Sequence, residues 1–131
     1  MTVDTADDLH IPIYDDVLAA HERVRPYIHR TPILTSRFIN ELAGAELFFK
    51  CENFQKAAAF KVRGACNAVF GLSEEKARKG VATHSSGNHA LSLSYAAGRR
   101  GIPCHVVMPR TALQAPRTLN AAAFWKFSHV K

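Results

Sequence analysis

Two short stretches of this 131-residue chain carry residue types that can do chemistry. The first is Ser85-Ser86-Gly87-Asn88, followed by His89. Small residues leading into a helix would present free backbone N–H groups at the positive end of the helix dipole, a place that holds a carboxylate or a phosphate. Their short side chains would let such an anion approach closely. A plainer reading is that Ser86 or Asn88 simply caps the helix. The second stretch centres on Lys61, in the first turn of another expected helix. A cation there sits at the wrong end of the dipole, and Phe60 with Ala57, Ala58 and Ala59 would help desolvate it. Both effects favour the neutral amine, which attacks carbonyls and forms Schiff bases. The plainer reading of Lys61 is an exposed surface lysine.

The elements that must hold these residues follow from hydrophobic spacing. Val62, Ala65, Cys66 and Val69 recur at i, i+3, i+4, i+7, one buried helix face. Val81-Ala82-Thr83-His84 is a short strand, Ser85 to Asn88 a turn, and Ala90, Leu93 and Ala97 a helical stripe closed by Arg99-Arg100-Gly101. Pro103 forbids further helix, and Cys104 to Met108 is a second apolar strand. Strand, helix, strand with a crossover of this length predicts parallel pairing and an α/β fold. Ligands of open parallel sheets bind beyond the carboxyl ends of the strands, where Ser85 to Asn88 falls.

Upstream, residues 1–13 read as a loose arm, and Asp15 or Asp16 offers a cap to a helix carrying Val17, Ala20 and Val24 that stops near Pro26. Thr31-Pro32-Ile33-Leu34 is extended, Ser36 to Leu42 a short helix ended by Gly44, and the alternation of Leu47, Phe49 and Cys51 a strand. Ser73-Glu74-Glu75 caps a further short helix that ends at Lys79-Gly80.

Composition narrows the function classes. Hydrophobic residues make up 47% and charged residues 21%, a globular balance. The net charge of +6 raises nucleic-acid binding, but the basic residues are dispersed and gather only at expected helix ends, as Lys76, Arg78, Lys79 and Arg99, Arg100. Cys51, Cys66 and Cys104 form no CxxC pair, so neither disulfides nor a zinc site is expected, and a reducing compartment, the cytoplasm, fits. The N-terminal residues lack the apolar run of a signal peptide, and no stretch reaches the roughly 18 apolar residues of a membrane span.

The context of the two stretches is more specific than either alone. Lys50-Cys51-Glu52-Asn53-Phe54-Gln55 with Ala59-Phe60-Lys61-Val62-Arg63-Gly64-Ala65 resembles the lysine motif of the serine/threonine dehydratase and serine racemase family. Thr83-His84-Ser85-Ser86-Gly87-Asn88-His89-Ala90 resembles that family's substrate loop. Arg30 to Ser36 and Gly101 to Ala112 are similar to its flanking segments, so the resemblance covers residues 15–112. It implies the tryptophan-synthase β-like fold, an α/β parallel-sheet architecture of two domains with pyridoxal 5'-phosphate between them. Residues 1–80 would then belong to the large cofactor domain, 81–112 would open the small domain, and 113–131 would be a divergent tail.

The resemblance also implies roles. Lys61 would form the internal Schiff base and remove the substrate's α-proton, Phe60 would pack near the cofactor ring, and Asn88 would bond the ring hydroxyl. Ser85, Ser86, Gly87, Asn88 and His89 would bind the carboxylate of a small hydroxy amino acid, and Ser86 would return a proton in a racemase. No metal ligand is assigned, and the family's habit of pairing implies a homodimer. The wording Lys50-Cys51-Glu52-Asn53 leans toward the serine racemase and hydroxyaspartate dehydratase branch. The expected activity is a dehydratase (ammonia-lyase) or racemase.

Two departures qualify that expectation. Ala57 and Ala58 stand where the family usually has a pair such as Thr-Gly, which would stiffen the turn before Lys61. Beyond Ala112 the pattern dissolves, and the seven glycines are never adjacent or one apart, so no phosphate-cupping loop is visible. The alternatives are therefore a truncated, non-catalytic fragment, whose Phe124, Trp125 and Phe127 would be an aggregation risk, and a nucleotide-binding α/β module.

Overall fold

The computed structural model describes residues 10–109 and 125–130. Its centre is built by two helices whose apolar stripes face each other. Helix α3, Lys61–Phe70, buries Val62, Ala65, Cys66 and Val69, the four positions that its spacing marks. Helix α5, Asn88–Arg100, buries Ala90, Leu93, Ala96 and Ala97, and the two helices pack along their length. Small alanines on α5 let the backbones approach closely. Strand β3, Val81–His84, pairs in parallel with β4, Cys104–Pro109, so the expected crossover is present. On β4 burial alternates, with Cys104, Val106 and Met108 inside and His105 and Pro109 outside, the period of a strand covered on one face. One hydrophobic core joins Val24, α3, α5 and β4.

The strand entry is set by a close approach. Gly80 has φ +80°, and a Cβ there would lie 2.6 Å from the Pro103 carbonyl oxygen. That carbonyl accepts from the Val81 N–H at 2.9 Å, which starts the β3–β4 ladder. Behind it, Arg100 fixes three elements together. Its guanidinium donates to the Val69 carbonyl at the end of α3, to the Leu72 carbonyl at 2.8 Å, and to Glu74 at 2.7 Å. The basic end of α5 thus satisfies carbonyls of its neighbour as well as its own dipole. Glu74 opens α4, Glu74–Arg78, which Ser73 caps as expected.

The peripheral elements are smaller than their sequence patterns suggest. Helix α1, Tyr14–Val24, has Ile13 at its N-cap. Asp16 accepts from the Ile13 N–H at 2.8 Å, reaching back from the first turn instead of preceding the helix as expected. That backbone bond, with His10 second, holds the Asp16 carboxyl below its ordinary range. Of its apolar positions only Val24 is buried, while Val17 is 58% exposed, because no described element covers the outer half of α1. Strand β1, Ile33–Leu34, pairs antiparallel with β2, Phe49–Lys50. The alternation from Leu47 to Cys51 predicts a longer strand than those two residues. Between them lies α2, Arg37–Ala43, capped by Ser36.

Strand β5, Trp125–Val130, pairs in parallel with β4 and completes a three-stranded sheet in the order β3-β4-β5. It falls in the segment read from sequence as a divergent tail. The rest of that segment, 113–124 and 131, lies outside the described residues, as do residues 1–9 of the expected arm. Among the described residues no helix is long and apolar enough to cross a membrane.

Candidate active site

The Ser85–His89 turn leaves the carboxyl end of β3 and enters α5. Ser85 donates its N–H to the Val107 carbonyl at 3.1 Å, which ties the turn to β4. Its Oγ accepts from the Gly87 N–H at 3.3 Å. The N-cap of α5 is Gly87, and no side chain caps the helix. The capping role expected for Ser86 or Asn88 is therefore not taken, and the first N–H groups of α5 are left for another acceptor. Ser86, Gly87, Asn88 and His89 are all exposed, and a Cβ on Gly87 would meet nothing within 4 Å. An uncapped, unobstructed helix start of small residues is suited to an anion.

Lys61 is the first residue of α3, with Phe60 at its N-cap. The desolvation anticipated from its neighbours is not present, since Lys61 is exposed and Phe60 is 62% exposed. Ala59 alone of that alanine run is buried, so the apolar side of the loop turns into the core and not over the amine. The approach to Lys61 is a pair of 3-10 turns, Glu52–Phe54 and Lys56–Ala58. Ala57 and Ala58 have φ of 54° and 50°, the left-handed region that alanine disfavours by about 1 kcal/mol each. The turn that two alanines disfavour is made nonetheless. The Lys56–Ala58 turn packs against α5, so the loop carrying Lys61 and the helix carrying the anion turn are neighbours. No hydrogen bond or ion pair among the described residues joins Lys61 to residues 85–89.

A polar network behind Lys61 had no role in the sequence reading. Arg63 donates to Glu52 through Nε at 2.8 Å and through Nη2 at 2.7 Å, a bidentate pair. Thr31 Oγ1 donates to the same carboxylate at 2.5 Å. Arg63, helped by Thr31, holds the Glu52 carboxyl down to about 2, against a burial effect that opposes it. Lys50 Nζ donates to the Thr31 carbonyl at 2.6 Å. Gln55, 4% exposed, accepts from the His29 N–H at 2.7 Å and donates to the His29 carbonyl at 2.8 Å. These bonds bind the extended segment around His29 and Thr31 to the loop before Lys61. A cleft of about 640 Å³ on that side is lined by His21, Arg25, His29, Arg30, Lys50 and Arg63 with Ile28, and by none of the expected site residues. Glu52 lies in a 3-10 turn and Arg63 in α3, so no shared periodicity links them, and the pair has no sequence signal beyond opposite charge.

Parallel strands with a crossover helix, an uncapped turn of small residues at the carboxyl end of β3 and an exposed lysine opening the adjacent helix make up part of a tryptophan-synthase β-like α/β fold. The sequence profile described as pyridoxal-phosphate dependent enzyme matches residues 24–123, and the chain belongs to that family. It is 71% identical over 109 residues to a beta-hydroxyaspartate dehydratase of Paracoccus denitrificans, covering 83% of this chain and 35% of that protein. It is 60% identical over 97 residues to a serine racemase of Dictyostelium discoideum, covering 74% and 30%. The solved structure of maize serine racemase superposes with a TM-score of 0.82 at 46% identity, over 89% of this chain and 36% of that one. The chain thus spans about a third of the length of the curated relatives it matches.

The residues present fit part of what the family's cofactor requires. An accessible amine at Lys61 and an open amide-lined turn are in place. Among the described residues no pair of neighbouring glycines offers a cradle for its phosphate, and no cluster of side chains could hold a metal.

Proposed function

We propose that this chain serves a pyridoxal-phosphate-dependent ammonia-lyase or racemase acting on serine, threonine or a related hydroxy amino acid. The observation that carries this reading is that the loop ending in the exposed Lys61 packs on α5, the helix whose start is uncapped. When bound, pyridoxal phosphate supplies an electron sink for charge developing at the substrate's α-carbon. The chain's own residues do the rest. Lys61 Nζ would hold the cofactor and take the substrate's α-proton. The amides of Ser85 to His89 hold the substrate carboxylate against the helix dipole. Asn88 and Phe60 would help to hold the cofactor, and the Ser86 hydroxyl would supply a proton to the substrate's other face. The names of the relatives favour a hydroxyaspartate or serine substrate and both reaction types.

The same reading places residues 1–80 in the larger cofactor domain and 81–112 at the opening of the smaller one. It gives the protein a homodimeric assembly and a cytoplasmic location, where its three free thiols stay reduced. The test is spectroscopic. Pyridoxal phosphate added to the chain raises a near-visible band that is missing in Lys61→Ala and shifts on adding β-hydroxyaspartate or serine. A band of equal strength in Lys61→Ala removes the reading. One observation favours a second reading, a non-catalytic chain: Lys61 and Phe60 are uncovered, and the described residues offer no phosphate cradle. Its signature is the absence of any band in either protein.

A further inference from the structure

The loop that delivers Lys61 begins at Glu52 and ends in the first turn of α3, and its two ends are bonded to each other. Glu52 opens the first 3-10 turn, and Arg63 lies two residues beyond Lys61. Their bidentate pair, at 2.7 and 2.8 Å, closes the loop across its base. Both side chains are substantially sheltered, Arg63 being 33% and Glu52 20% exposed, so the pair is less screened than a surface bridge. Thr31 orients the carboxylate from a third direction. Gln55 fastens the middle of the loop through two bonds to the His29 backbone and a third, at 2.9 Å, from the Lys56 N–H.

This fastening matters because the loop would not hold its shape unaided. Ala57 and Ala58 are both left-handed, and such residues persist only where the surroundings over-determine them. Among the described residues the Lys61 side chain makes no hydrogen bond or ion pair. The start of α3 is fixed by the Val62 and Arg63 N–H groups, which donate to the Ala59 and Phe60 carbonyls at 3.4 and 3.0 Å, by the fully buried Val62 side chain, and by Arg63, held by Glu52. We propose that Glu52 and Arg63 are positioning residues for Lys61: their ion pair sets the place and direction from which the Lys61 amine leaves α3. This rests on the reading of Lys61 as the cofactor-holding residue, and it assigns that reading a support outside the residues that touch the cofactor.

The experiment uses the whole chain. It is incubated with pyridoxal phosphate, the adducts are fixed with borohydride, and labelling at Lys61 is compared with labelling at Lys79, an exposed lysine at the end of α4. The unaltered chain should label Lys61 in preference to Lys79. In Glu52→Gln and in Arg63→Lys, which keeps the charge but not the fork, that preference should fall at least about tenfold. Far-ultraviolet circular dichroism should stay unchanged. If Glu52→Gln does not fold, Arg63→Lys carries the same criterion, since it retains one bond to the carboxylate. An unchanged preference in a folded variant overturns the positioning role and leaves the function standing. Equal labelling of Lys61 and Lys79 in the unaltered chain overturns both.

Discussion

At the scale of single residues, the site depends on backbone states that the side chains do not advertise. Ala57 and Ala58 sit where φ is positive, and each costs about 1 kcal/mol relative to glycine in that region. Ala58→Gly should therefore raise stability by a few tenths to about 1 kcal/mol, the relief of strain being offset in part by the greater freedom of the unfolded chain. Thermal or denaturant unfolding measures it, and a loss of stability would show that the loop is not held in this conformation. The motifs around Lys61 and the 85–89 turn were legible in the sequence, although each stretch alone admits a plainer reading. The fate of the turn was not. Whether Ser86 and Asn88 cap α5 or leave it open is decided by the entry angle from β3, where Gly87 takes the N-cap. The exposure of Lys61 matches its plainer reading as a surface lysine and not the desolvated amine. Phe60 precedes it in the chain but lies open to solvent, and adjacency in sequence does not supply burial.

At the scale of elements, the parts that were read correctly are those with a long internal period. The faces of α3 and α5 are specified by four and three marked positions, and all of these are buried. Strands β1 and β2 have two residues each and are exposed on both faces, so alternation from Leu47 to Cys51 could not define their ends. The misplacement of Asp16 has the same origin: an acidic residue is favourable both before and within the first turn, and only the path of the arm through Ile13 separates the two. The β3–β4 unit makes a sharper demand. Gly80 cannot carry a side chain without meeting Pro103 at 2.6 Å, and its φ is also positive. Gly80→Ala should destabilise the chain by about 1 to 3 kcal/mol, read as a lower midpoint in urea. A neutral outcome would mean that β3 does not start against Pro103.

At the scale of the whole molecule, a chain spanning about a third of its relatives' length still forms a continuous core, from Val24 through α3 and α5 to β4. It also exposes large apolar side chains, including Ile33, Leu34, Phe38, Leu42 and Phe48 around β1 and α2. The thiols separate these two facts. Burial pushes Cys66 up to about 11 and raises Cys104, whereas Cys51 is only partly covered, at the edge of β2. At neutral pH Cys51 should react readily with a soluble alkylating reagent, while Cys66 and Cys104 react only after denaturation. Rapid reaction of all three in the native state would show that the core is not packed in this chain. Family membership was legible because its motifs are contiguous. The Glu52–Arg63 and Gln55–His29 links were not, because each joins segments that only the folded chain brings together.

The central claim is that one amine holds the cofactor. The most direct measurement is peptide mapping after the chain is mixed with one equivalent of pyridoxal phosphate and reduced with borohydride. The account predicts a single dominant modified residue, Lys61, with neighbouring Lys50 and Lys56 spared. Modification spread over Lys50, Lys56 and the surface lysines, with Lys61 no richer than the rest, would contradict it.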